Sequence, residues 1–268
     1  MKRGLSALFR SRTRKQLFFA IKMLLCPVDL WRYVEFSALF AAYGNEQPVL
    51  DVGSPKAMST LLCRQIEGRI HASDIAFSPL MEFRAMLARN ELRTIAPIQG
   101  DGCRLPYGDR VFPFIYSISA IEHIGGEGDS QAVAEMARVL TPGGRIFLTV
   151  PLVPAYREQW VDTDPYGKQV RNDCGKVFFS RYYDWRALQN RVLAPSGLTV
   201  LSMFAWQERH AGWYESYAAR TAIPSSVVSI AMKFLDPLWA SARIESVPGG
   251  PSELSRHGVA AIVLGKPA

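Results

Sequence analysis

Four short segments place carboxylates, glycines and a histidine where they could do ligand chemistry. The first is "VLDVGSPKAMST", Val49 to Thr60, which offers Asp51, Gly53 and Ser54 behind a short apolar run. The second, "HASDI", presents Asp74 and Ile75, with Asp74 standing 23 residues after Asp51. A carboxylate there can accept from both hydroxyls of a ribose, as an acid does in dinucleotide sites. The third, "IQGDGCRLPYG", turns tightly through Gly100-Asp101-Gly102-Cys103. Asp101 could accept from an exocyclic amine while the Gly102 and Cys103 amides face the ring edge. The fourth, "SISAIEHIGG", carries Ser119, Glu122 and His123. His123 could act as general base for a hydroxyl, because an unperturbed imidazole titrates near neutrality. It could equally orient its loop by hydrogen bonding. Singly, an acid at a strand end is more often a helix cap or turn former than a ligand. All four segments in order are a far more specific signal.

Such groups converge only if the right elements carry them. From Val49 onward, short apolar runs alternate with helical patterns, the signature of βαβ units and a parallel sheet. The strands expected are 48–52, 69–73, 94–99, 112–118, 145–150, 198–204 and 259–264. Helices are expected at 55–67, 79–90, 130–140 and 182–193. Thr141-Pro142-Gly143-Gly144 forbids continuation of the third helix and turns into the next strand. Residues 152–180 read as a polar, aromatic, loop-like insert, and 211–243 as a mostly helical one. The fold class is therefore α/β: a seven-stranded sheet with helices on both faces and extra N-terminal helices. Two regions follow, a basic helical extension over 1–45 and one domain over 46–268. Open sheets of this kind bind ligands beyond the carboxyl ends of their strands, where the strand order reverses. All four segments fall at such ends.

Charge narrows the partners. The 268 residues carry a net charge of +7, yet Lys2, Arg3, Arg10, Arg12, Arg14, Lys15 and Lys22 meet no acid among residues 1–25. The rest balances, 24 basic residues against 24 acidic. That argues against a nucleic-acid track near the site. The basic segment and the apolar stretch 225–240, "SSVVSIAMKFLDPLWA", suit peripheral contact with a membrane surface. No run of 18 uncharged apolar residues suggests a spanning helix. Cys26, Cys63, Cys103 and Cys174 are too widely spaced for a disulfide framework or a metal centre. The expectation is a cytoplasmic protein with reduced thiols, peripheral at the inner membrane face.

"VLDVGS", "SDI", "GDGCRLPYGDRVFPFIYSISAIEHI" and "AVAEMARVLTPGGRIFLTVP" resemble the successive motifs of class I S-adenosylmethionine-dependent methyltransferases. The likeness is to the small-molecule subgroup that includes ubiquinone- and sterol-type enzymes, and it spans Val49 to Pro151. It implies a Rossmann-like sheet, mostly parallel, whose last strand is antiparallel. It also implies S-adenosyl-L-methionine as cofactor. Asp51 and Gly53 would line its methionine part, Asp74 its ribose, and Asp101 and Gly102 its adenine. Ser119 would lie beside the methyl group, with Ser54, Ile75 and Cys103 as neighbouring contacts. Glu122 and His123 are the catalytic candidates.

The first loop departs from the family pattern, acid-x-Gly-x-Gly-x-Gly. Only Gly53 of its glycines is present, and Pro55 and Lys56 follow Ser54. Proline lacks an amide hydrogen and cannot take a positive φ. Ser54 and Pro55 instead make a good helix opening, with Ser54 as N-cap. Lys56 is either solvated or paired with the cofactor carboxylate or an anionic substrate. "IEHI" lacks the second carboxylate of an E-x-x-E-H metal run, because Ser119 stands there, so no metal is expected. "TDPYG", which resembles an amino-base methylation motif, lies after the fifth strand and is set aside as coincidence. A small molecule, a sugar or a lipid-linked glycan is the expected acceptor. The aromatics counted with the two inserts, Tyr156, Trp160, Tyr166, Phe178, Tyr182, Tyr183, Trp206, Trp213 and Tyr214, together with Arg171, Arg181 and Arg209, would grip it, or the rings would pack the inserts onto the sheet. The alternatives are a non-catalytic S-adenosylmethionine-binding or scaffold protein with a degenerate first loop, and a nucleic-acid methyltransferase.

Overall fold

The computed structural model describes residues 29–66, 68–164, 170–221 and 235–268. The basic segment 1–25, Tyr166 and residues 225–234 of the apolar stretch lie outside them. Strands β1 (Val49–Val52), β2 (Ile70–Asp74), β3 (Ile95–Gln99), β4 (Phe112–Ile118) and β5 (Leu140–Leu152) run parallel. Strand β10 (Gly258–Gly265) pairs antiparallel with β5 and with β8 (Thr199–Glu208). The antiparallel last strand is thus present. Among the described residues the sheet order is β3-β2-β1-β4-β5-β10-β8-β9, with β9 (Ile244–Ser246) a short eighth strand beyond the expected seven. Order reverses between β1 and β4, so their carboxyl ends splay apart and leave a crevice.

Buried apolar residues cover both faces of this sheet, as parallel strands require. Leu50, Ile115 and Leu148 face α4 (Gly128–Val139), which buries Ala132, Val133 and Met136 at helical spacing. Phe114, Tyr116 and Phe147 face the opposite way. They pack with α1 (Arg32–Ala42), α2 (Lys56–Leu62) and α3 (Phe77–Arg89) through Phe36, Leu39, Met58, Leu62, Phe83 and Leu87. Helix α1 lies inside the stretch assigned to the extension, yet its apolar side joins the core of the sheet domain.

Two sequence expectations are corrected. Residues 152–180 contain two strands, β6 (Arg157–Val161) and β7 (Val177–Tyr182), paired antiparallel as a separate ribbon. Polar Arg157, Glu158 and Gln159 hid the first of them; the edge contact of Trp160 with Phe178, centroids 5.4 Å apart, helps hold it. Residues 182–184, drawn as helix, belong to β7 and the link after it, and the helix α5 (Trp185–Leu188) begins at Trp185 with Asp184 as its cap. The second insert is helical in its described parts, α6 (Trp213–Thr221) and α7 (Asp236–Arg243). No described helix is long and apolar enough to cross a membrane.

Candidate functional site

A cleft of about 430 Å³ opens at the carboxyl ends of β1, β2 and β4. Gly53 enters it from β1, with φ +71°, and a Cβ there would stand 3.1 Å from that of Ala120. Only glycine takes this conformation without strain and lets the loops approach so closely. Ser54, Asp74, Ile75, Gly102 and Ser119 line the same cleft. Asp101 and Cys103 line an adjoining pocket of about 220 Å³, and His123 borders both. The Cys103 amide donates to Asp101 Oδ1 at 3.0 Å, so it is engaged within the turn instead of facing outward.

Asp51 does not line the cleft. It is fully buried beneath the loop, accepting from the Ser54 amide at 3.0 Å, the Tyr116 hydroxyl at 3.1 Å and the Ser59 hydroxyl. Burial pushes its carboxyl above the ordinary range, against the pull of Lys56 and of the Ser59 and Ser54 donors. Its visible work is to hold the loop. Ser54 is not the helix cap either: α2 starts at Lys56 after Pro55, and the Ser54 hydroxyl accepts from the Ile118 amide at 2.9 Å. That bond ties the first loop to the switch-point strand.

The loop after β4 is shaped from below. Ser119 sits at φ +43°, unusual for a residue with a side chain. Its amide donates to the Thr149 carbonyl at 3.0 Å and its hydroxyl to Glu35 Oε1 at 2.6 Å. Glu35 comes from α1, is fully buried, also accepts from the Thr149 hydroxyl at 2.8 Å and pairs with Arg32. Arg32 in turn lines the cleft. Sequence reasoning missed both residues. The one usable signal was a single acid inside the apolar run "WRYVEFSALF", three positions after an arginine.

His123 and Glu122 close a short 3-10 turn, Ile121–His123. His123 Nδ1 lies 2.7 Å from the Phe179 carbonyl oxygen. A carbonyl only accepts, so Nδ1 carries the proton and Nε2 keeps the lone pair. Burial lowers the pKa of His123 below its ordinary value, which favours this neutral form. Glu122 Oε1 is 3.8 Å from Nε2. Glu122 is buried and its Oε2 has no hydrogen-bond partner among the described residues. Burial pushes its carboxyl up to about 8, despite the opposing charges of Arg32 and Arg181.

Stability should follow that proton. The unfolded chain releases it near 4.5 and the folded chain only near 8, so this residue's contribution is greatest below 4.5. It declines as pH rises from there to about 8 and then levels off. Glu122→Gln keeps the shape without the titration. Its melting temperature is therefore expected to exceed that of the wild type by several degrees at pH 8.5, with little difference at pH 5, at about 2–4 °C per kcal/mol for a chain of this size. Equal shifts at both pH values would count against a raised carboxyl.

Arg181 does not serve a substrate. It is fully buried and pairs with Asp129 at 3.0 Å. It also donates to the carbonyls of Ile124 and Gly126, both at 2.8 Å, pinning the backbone that follows His123. Tyr183, another expected grip, is buried with its hydroxyl on Asp129 at 2.8 Å. Tyr182 and Tyr214 instead gather with Trp31 around His257, beyond the end of β5; the Tyr214 and His257 rings stack at 4.5 Å. Arg157 covers Tyr182 at 4.2 Å.

Sequence and fold comparisons place this geometry. Residues 50–148 match the methyltransferase domain family. The demethylmenaquinone methyltransferase of Mycobacterium tuberculosis (strain ATCC 25618 / H37Rv) is 30% identical over 146 residues, 54% of this chain and 58% of the relative. The chain thus matches less than two thirds of that relative's length. A putative methyltransferase from Bacillus halodurans has TM-score 0.55 at 17% identity, covering 88% of this chain and all of its own. Geranyl diphosphate C-methyltransferase from Streptomyces coelicolor A3(2), solved with S-adenosyl-L-homocysteine, has TM-score 0.56 at 11% identity, covering 98% and 86%. The fold is that of the class I, Rossmann-like methyltransferases. Within it, residues 50–148 are the stretch that carries the match to the methyltransferase domain family.

Proposed function

We propose that the chain binds S-adenosyl-L-methionine in the 430 Å³ cleft and transfers its methyl group to a hydroxyl of a small molecule. The observation that carries this reading is the convergence of Gly53, Asp74 and His123 from three strand ends on one cleft. The residues present fit the cofactor. Gly53 leaves room for close backbone approach, Asp74 offers a carboxylate for a ribose, and Ile75, at 36% exposure, offers an apolar face for adenine. Asp101 and Gly102 would meet the adenine edge, and Ser119 the methionine part. Arg32 is the cation placed to take the methionine carboxylate, with Glu35 holding it. When bound there, S-adenosylmethionine supplies an electrophilic methyl on a sulfonium.

The chain's own residues do the rest. The cleft aligns the acceptor, and alignment is the larger part of such catalysis. His123 Nε2 takes the proton of the acceptor hydroxyl, its orientation set by the Phe179 carbonyl. Glu122, 3.8 Å away, stands beside the imidazolium that forms. The names of the relatives favour a small organic acceptor, and a sugar or lipid-linked glycan belongs to the same reading. Tyr182, Tyr214 and Arg157 are the side chains suited to hold it. A basic N-terminal segment fits work at an acidic membrane surface from the cytoplasmic side.

Calorimetric titration with S-adenosyl-L-homocysteine tests the reading directly. Saturable binding below about 1 mM is expected, the range usual for such sites. Absence of heat at that concentration would favour the scaffold alternative.

A further inference from the structure

Lys56 and Asp74 meet on the cleft wall, Nζ to Oδ2 at 2.6 Å, each side chain about one-fifth exposed (21% and 20%). The ammonium nitrogen itself is shut off from solvent and makes no hydrogen bond to any other described group. Phe83 covers it, with the ring centroid 5.9 Å away. The second oxygen of Asp74, Oδ1, accepts from the Ala76 amide at 2.9 Å. A carboxylate has about four acceptor directions. Two are used here from the protein side, and the exposed fifth of the side chain opens on the cleft.

Resting on the cofactor reading of this cleft, we propose that Lys56 is a positioning residue for ribose recognition, acting through Asp74. From the first residue of α2 it fixes the carboxylate so that the remaining acceptor directions meet two vicinal hydroxyls. The departure of the first loop from a glycine run then has a physical sense. Pro55 brings no amide hydrogen to that loop, and the next residue contributes a charge to the adjacent strand end instead. A lysine at this position opposes the helix macrodipole, and the ion pair with Asp74 offsets that penalty.

Two ligands separate the roles open to Lys56. S-adenosyl-L-homocysteine carries ribose and amino acid, whereas 5′-deoxy-5′-methylthioadenosine keeps ribose and adenine and lacks the amino acid. Lys56→Met is expected to weaken both by about tenfold, the scale of one charge-assisted contact. In an Asp74→Asn background the same substitution should change neither by more than about twofold, because its effect runs through the carboxylate. Lys56→Gln repeats the measurement should the methionine variant fail to fold by circular dichroism. Weakening confined to S-adenosyl-L-homocysteine would put Lys56 on the cofactor carboxylate and overturn the proposal. Tighter binding, or full additivity with Asp74→Asn, would overturn it too. Wild-type protein that binds neither ligand would sink the cofactor reading and this inference with it. Wild-type binding with an inert Lys56→Met sinks the inference alone.

Discussion

His123→Gln is expected to lower turnover by about 10²–10⁴-fold, the usual contribution of a positioned general base. Affinity for S-adenosyl-L-homocysteine should stay within about threefold of the wild type, because the side chain is assigned to the acceptor and not to the cofactor. The pH profile carries the second half of the test. The base must be neutral to accept a proton, and burial together with Arg32 favours the neutral ring, outweighing the Phe179 carbonyl. Activity should therefore rise with pH along an acid limb whose midpoint lies below the ordinary histidine value of 6.5. Retention of more than a tenth of the turnover would remove His123 from the mechanism. Loss of cofactor affinity in parallel with turnover would make it a structural residue of the loop.

Asp129→Ala should produce the largest loss of stability. Asp129 is fully buried in the first turn of α4 and serves three partners: Arg181 at 3.0 Å, Arg191 at 2.8 Å and the Tyr183 hydroxyl at 2.8 Å. Removing it leaves the buried Arg181 guanidinium with the Ile124 and Gly126 carbonyls and the Phe178 ring, 4.9 Å away, but without a carboxylate at that contact. Breaking a buried pair in this way costs about 3–5 kcal/mol, because the surviving charge cannot return to water. For a chain of this size that corresponds to a fall in melting temperature of about 10 °C or more. Asp129→Asn keeps an acceptor of the same shape and should cost clearly less. Similar losses from both variants would mean that the charge of Asp129 contributes nothing. Catalysis should suffer in the alanine variant even at temperatures where it stays folded, since Arg181 pins the backbone that follows His123.

Much of the architecture was legible in local patterns. The seven main strands appear close to where apolar runs place them, and Phe112–Ile118 matches in full. Runs such as "FPFIYSI" are buried on both faces, so composition alone marks them. Residues 157–161 were missed because a ribbon off the main sheet needs no continuous apolar run. At the site, the sequence put Gly53, Asp74, Ile75 and Ser119 at strand ends, and the cleft includes them. It misread the cap: Ser54 turns its hydroxyl to Ile118, a bond between residues 64 positions apart.

What the sequence determined by itself was the alternation of strand and helix, and with it the edge on which four chemical loops gather. Period and turn chemistry are local, so they can be read without the fold. The tertiary structure alone decided which way the charges face. Asp51 turned inward to Ser59 and Tyr116, Lys56 reached Asp74, and Glu35 came up beneath Ser119 and Thr149. The physical reason is distance along the chain. Glu35 and Thr149 are 114 residues apart, and a buried carboxylate takes whichever donors the packed sheet brings to it.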